Sequence, residues 1–271
     1  MKIDQALEQA SLERCTVKEN DEIRQASDAV LKDPADGKAW MNKGLALSRQ
    51  SYMREAEECF SMAIARGPFN WEFYRHRAHR FLSCWRFQDA AADFTIASRL
   101  NTESWRVWYH LGLSFFLLGE YEKALKAYRE CLRVTDCDKD LIAVTDWCYM
   151  TLRRLGRDAE ADELLLPIHE NMQAGSNTAY LARLLMYKGL KRPEELLSAD
   201  PADTTDLEIV TMGFGVGNYY LMQGETEKGL QVMRRVVQTG DRTDCYFAFA
   251  YLASKVELDR YEKAAGETVR S

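Results

Sequence analysis

One pattern constrains this chain more than any other: residue sizes repeat at a step of 34. Trp40, Gly44, Leu47, Ala56, Phe60, Ala63 and Pro68 open the series. One step on stand Tyr74, Ala78, Phe81, Ala90, Phe94, Ala97 and Thr102, and a second step reaches Trp108, Gly112, Phe115, Ala124, Tyr128, Cys131 and Asp136. Large stays large and small stays small, and only the last place drifts. A fixed period of this length marks an array of like units, each one supersecondary element. Within a unit, Trp40, Gly44 and Leu47 fall at i, i+4 and i+7 and share one helical face; Ala56, Phe60 and Ala63 do so on a second helix. Gly44 and Ala56 let the two helices approach, and the aromatics fill the space beside them. The pattern predicts a stack of antiparallel helix pairs.

These residues resemble the signature of the tetratricopeptide repeat: Trp-x2-Leu-Gly-x2-Tyr, then Ala-x3-Phe, then a closing Pro. Three repeats carry it, Gly37–Asn70, Trp71–Ser104 and Trp105–Asp138. Trp108, Leu111 and Gly112 reproduce the Trp-x2-Leu-Gly of the first element, while repeat 1 has Lys43 in place of Leu and repeats 2 and 3 lack the final Pro. The resemblance implies an all-α right-handed superhelix of about six repeats plus terminal helices. Turn glycines extend it: Gly119 is followed by Gly156, Gly189 and Gly224, at spacings of 37, 33 and 35. Gly ends a helix in the left-handed conformation without steric cost. Three worn repeats are therefore expected at 142–174, 175–209 and 210–243. The second helix of the fifth should be short, opened by Pro193 and closed by Pro201. Residues 3–33 read as a worn helix pair ending at Pro34. Residues 244–264 read as a terminal helix with Lys255, Glu257, Asp259 and Arg260 facing water, since solenoids need polar caps. The expected organisation is one continuous solenoid over 1–271: a worn pair in 1–36, clear repeats in 37–138, worn repeats in 139–243 and a cap in 244–271.

Charge and composition narrow the function classes. A net charge of −6 opposes nucleic-acid binding, which needs a cationic footprint. Apolar runs are far shorter than the ~20 residues that span a bilayer. The start of the chain lacks the basic and apolar segments of a secretory signal, so a cytoplasmic protein is expected. Seven cysteines, an odd number with no CxxC pair, read as reduced core thiols, not as a disulfide framework or zinc knuckle. No GxSxG, P-loop, HExxH or strand-borne GxGxxG motif is present. The glycine run Gly213–Gly217 in MGFGVGN reads as close helix–helix approach. Neither an enzyme nor a cofactor-dependent protein is expected.

The candidate site is a wall of first helices. His76 and His79 lie at i and i+3, and His110 sits one step of 34 after His76, so His76 and His110 are expected side by side. Arg75 and Tyr109 form a second column, with Arg106 one turn before His110. Asp146 and Trp147 continue both columns if the fourth repeat keeps phase through Gly156. In the family resembled, the concave wall often clamps a partner's C-terminal carboxylate with Lys, Arg and Asn. That implies a protein or peptide partner held by Arg75, His76, His79, Arg106, Tyr109, His110, Asp146 and Trp147. Met41 and Leu45 stand where the clamp's first Lys and Asn would be, so chaperone-tail specificity is not expected. A basic bias in repeat 2 (Arg75, Arg77, Arg80, Arg86, Arg99) favours an acidic partner. A metal or small ligand held by His76, His79 and His110, with Asp146, is the alternative.

Overall fold

The computed structural model describes residues 16–197, 204–243 and 245–268. Among these residues every regular element is an α-helix, fourteen in all. They are α1 (Asp21–Lys32), α2 (Gly37–Arg49), α3 (Met53–Arg66), α4 (Trp71–Ser83), α5 (Phe87–Leu100), α6 (Trp105–Leu118) and α7 (Tyr121–Arg133). There follow α8 (Asp138–Arg154), α9 (Asp158–Leu164), α10 (Thr178–Tyr187), α11 (Pro193–Leu197), α12 (Asp206–Met222), α13 (Thr226–Arg242) and α14 (Phe249–Thr268). The first helices of the three clear repeats begin at Gly37, Trp71 and Trp105, in step with the pattern. The chain divides into two compact units, Met1–Leu118 and Gly119–Ser271.

In the first unit each helix packs on the next, and the first helices also touch their successors, α2 on α4 and α4 on α6. The pattern residues form its core: Ala56, Phe60, Ala63, Ala90, Phe94 and Ala97 have no exposed surface. Gly44 is required, because a Cβ there would lie 2.7 Å from the Phe60 ring. Helix starts are capped at the repeat period, Asp36 accepting from the Lys38 amide at 2.8 Å and Asn70 from the Glu72 amide at 3.0 Å. These caps satisfy amides that the first turn leaves without partners.

In the second unit α8 packs on α7, α9, α10 and α12, and α12 on α10, α11, α13 and α14. The short α11 opens at Pro193 as expected, while Pro201 lies outside the described residues. The part of 3–33 expected to form the first helix of the N-terminal pair, with Cys15, also lies outside them, and α1 falls where the second helix is expected. Gly119, Gly156, Gly189 and Gly224 all adopt positive φ, between 68° and 79°. The corresponding turns of repeats 1 and 2 force Ser51 and Trp85 into the same region, each at φ 62°. The terminal helix corrects one expectation. Glu257 does not face water: it is 1% exposed and is paired with Arg154 of α8 at 3.2 Å and with Arg260 at 2.7 Å. Burying a carboxylate demands such partners, and the periodicity of one helix cannot supply an arginine from another.

Candidate functional site

Arg75, His76, His79 and Arg80 fall at i, i+1, i+4 and i+5 of α4 and so share one face. The face turns toward α6, and there Arg106 and His110 meet it. His76 stacks on Phe60 of α3, centroids 5.5 Å apart and planes 19° apart. His110 stacks on Phe94 of α5 in the same way, at 5.6 Å and 14°. Equivalent histidines thus rest on equivalent phenylalanines, which places both by the same packing rule. The ring that touches His110, however, is not that of His76 but that of His79, edge-on at 5.0 Å. Successive first helices are offset by a superhelical step, and the residue one turn further along α4 closes the gap.

Each histidine is held by an arginine. The Arg75 guanidinium donates from Nη2 to His76 Nε2 at 2.9 Å. Arg80 donates in the same way to His79 Nδ1. His110 Nδ1–H donates to the Arg106 carbonyl at 2.6 Å. An imidazole that accepts from a guanidinium must be neutral at that nitrogen. Burial agrees: it pushes His76 down to about 3 and His110 down to about 4, with Arg75, Arg80 and Arg106 adding repulsion. His79 is driven well below the usual range by burial and by His110. Arg75 is itself lowered, first by burial and then by Arg106.

The arginines of repeat 2 separate into two groups. Arg77 makes a two-point bond to Asp93, at 2.7 and 2.9 Å, and Arg86 is held by Glu57 at 2.9 Å and by Asp89 at 2.7 Å. These are structural ion pairs. Arg75, Arg80 and Arg106, by contrast, have no carboxylate within 4.0 Å among the described residues. Arg80 was visible in the sequence only as part of a basic run; its place four residues after His76 on one face is the signal that could have singled it out.

The remaining expected residues lie elsewhere. Tyr109 is buried, stacked on Trp105 at 4.6 Å. Asp146 and Trp147 do not extend the wall: both are fully buried in the second unit. Asp146 faces Arg183 of α10 at 2.8 Å, and Arg183 lies over Trp147, Tyr180 and Phe214 at 5.9, 5.2 and 5.3 Å. Burial pushes Asp146 up to about 7 against the opposing pull of Arg183. In the fourth repeat, α8 carries apolar residues on nearly every face, so its wall positions turn inward. Among the described residues, His76, His79 and His110 do not bring three ligand atoms within 4.8 Å of one another; Asp136, Cys137 and Asp140 do. Three guanidiniums with no carboxylate in ion-pair contact among the described residues, Arg75 feeling Glu72 only at longer range, suit an anion and repel a metal cation.

The family model of the tetratricopeptide repeat matches residues 105–134, the stretch with Trp108, Gly112, Ala124 and Tyr128. No match emerges among curated protein sequences. Among solved structures the chain is similar to a tetratricopeptide repeat protein from Parabacteroides merdae, with TM-score 0.58, 18% identity and coverage of 85% of this chain and 90% of that one. It is similar to the APC/C hetero-tetramer Cut9-Hcn1 at TM-score 0.56 and 15% identity, over 89% of this chain and 45% of that one. A third likeness is to YrrB, a TPR protein with an unusual peptide-binding site, at TM-score 0.50 and 16% identity, over 85% and 97%. No helix among the described residues is long and apolar enough to cross a membrane. The repeat signature, the helix pairs in step with it and these likenesses together show that the chain has the fold of tetratricopeptide-repeat proteins, with the repeat itself matched over residues 105–134.

Proposed function

We propose that this chain is a non-enzymatic scaffold that holds an acidic protein segment or peptide against the first-helix wall of repeats 2 and 3. The observation that carries this reading is how Arg75 and Arg80 are oriented. A carboxylate would fix a guanidinium and cancel its charge. Here neutral His76 and His79 fix them and leave the charge in place. With Arg106 exposed beside them, the three cations offer planar, multidentate donors to carboxylates. Arginine beside aromatic surface is also the composition of binding hot spots. The peptide-binding site named for YrrB belongs to that protein; it supports a like use of this fold here.

The test is fluorescence anisotropy with a labelled peptide rich in Asp and Glu and ending in a free carboxylate. Arg75→Glu and Arg106→Glu should each weaken binding at least tenfold (about 1.4 kcal/mol) with helicity unchanged. Arg99→Glu, an exposed arginine of α5 in the same repeat, should leave it unchanged. Wild-type affinity in both of the first two variants would sink the proposal.

A further inference from the structure

The C-terminal helix is attached in a way that a simple cap does not require. Ala250, Tyr251, Leu252, Ala253 and Ser254 of α14 are buried, and the helix packs on α12 and α13. One turn on, its grip changes character. Glu257 enters the protein between Arg154 and Arg260. Arg154 also donates to Asn218 Oδ1 of α12 at 2.7 Å. Arg260 in turn donates to the hydroxyl of Tyr121 at 2.9 Å, and its guanidinium lies against Gly119, where a Cβ would stand 3.2 Å away. A helix at the end of the unit thus reaches residues at its beginning, and Arg260 makes that contact through its guanidinium, which also lies over the Tyr121 ring at 5.8 Å.

A cap that only shields apolar surface gains nothing from a buried carboxylate, since a buried ion pair adds little over an apolar substitute of the same shape. What such a pair supplies is register and sensitivity to its partners: remove one member and the other is left buried and charged. Arg154 and Asn218 come from α8 and α12, both first helices of their repeats. Glu257 therefore meets the wall of the second unit much as a carboxylate of a partner would.

We propose that α14 is a displaceable in-cis ligand of the second unit, held on Arg154, Asn218 and Tyr121 through Glu257 and Arg260. The wall it covers is an interaction surface for a helix with an apolar run of large and small residues, as in Ala250–Ala253, followed one turn later by a glutamate. The test uses the full-length chain and its Glu257→Gln and Arg260→Ala variants, followed by hydrogen exchange. A synthetic peptide of residues 249–268 serves as the probe in trans. In both variants the amides of α14 should exchange at least tenfold faster while α12 and α13 keep their protection. The peptide should bind Glu257→Gln and fail to bind the wild type, whose wall is already filled. Three outcomes overturn the proposal: α14 exchanging no faster in either variant, protection lost across α12 and α13 together, or a peptide that does not bind Glu257→Gln. Each would make α14 an integral part of the fold.

Discussion

Two residue-level features set measurable energies. Ser51 occupies a left-handed position that glycine fills in the later turns. The left-handed region costs an L-residue about 1–2 kcal/mol, partly offset by the extra freedom glycine has when unfolded. Ser51 is exposed, so Ser51→Gly should stabilise the protein by about 0.5–1 kcal/mol, read from the urea midpoint; a lowered midpoint would refute the strain. The histidines give a pH signature. Their folded values lie below the unfolded value of 6.5, at about 3 for His76 and about 4 for His110. Between those limits the unfolded chain binds more protons. Stability is therefore complete above about pH 6.5 and falls on acidification, by at most about 1.4 kcal/mol per pH unit for each histidine. Asp146 works in the opposite sense, because a carboxyl raised to about 7 sheds the cost of buried charge as pH falls. The measurement is thus the difference between wild type and His76→Gln or His110→Gln: the variants should show a shallower loss from pH 7 to pH 5. Parallel profiles would mean that the rings are not held neutral.

At the scale of elements, α12 illustrates how glycine spacing encodes packing. Gly213 and Gly217 are a turn apart and face α13, where added Cβ atoms would lie 2.6 Å from Val236 and 2.8 Å from Met233. Gly215 points the other way, and its Cβ would fall 2.4 Å from Nε of Arg183. The sequence reading of this run as close helix approach holds on both sides. The second contact also serves electrostatics, since Arg183 must stay in place to face Asp146. Gly215→Ala should cost about 3–5 kcal/mol, the range for stranding one member of a buried pair. Gly224→Ala, with open space around its Cβ, should cost only the left-handed strain of about 1–2 kcal/mol. Thermal melts of the two variants make the comparison, and equal losses would count against the packing explanation.

For the whole molecule the relevant quantity is charge against its distribution. The chain carries a net −6, yet Arg75, Arg80 and Arg106 sit together with no carboxylate within 4.0 Å among the described residues. On the proposed reading, an acidic partner would be repelled at long range and attracted at this face. Salt shortens the Debye length from about 10 Å at 0.1 M to about 3 Å at 1 M. Affinity for the acidic peptide should therefore fall several-fold between 0.1 M and 0.5 M salt, less steeply than for a uniformly basic surface. Affinity that rises with salt would mean that the global charge dominates and that the arginine face is not where the peptide docks.

The chain itself determined the helix pairs, because a step of 34 that preserves size classes can only be met by repeating the same packing unit. It also determined the turns, since a left-handed helix end selects glycine wherever the sequence can supply one. Which polar groups are buried was decided only in three dimensions. Arg77 and Arg80 are three residues apart on one helix; one meets Asp93 and the other a neutral histidine, and local spacing contains neither partner. Asp146, Trp147 and Glu257 looked like surface residues because periodicity counts along one helix. Their burial follows from α10 bringing Arg183 to Asp146 and from α8 bringing Arg154 to Glu257. Those pairings span 37 and 103 positions of sequence, and no pattern within a single repeat encodes a contact made by the way several repeats stack.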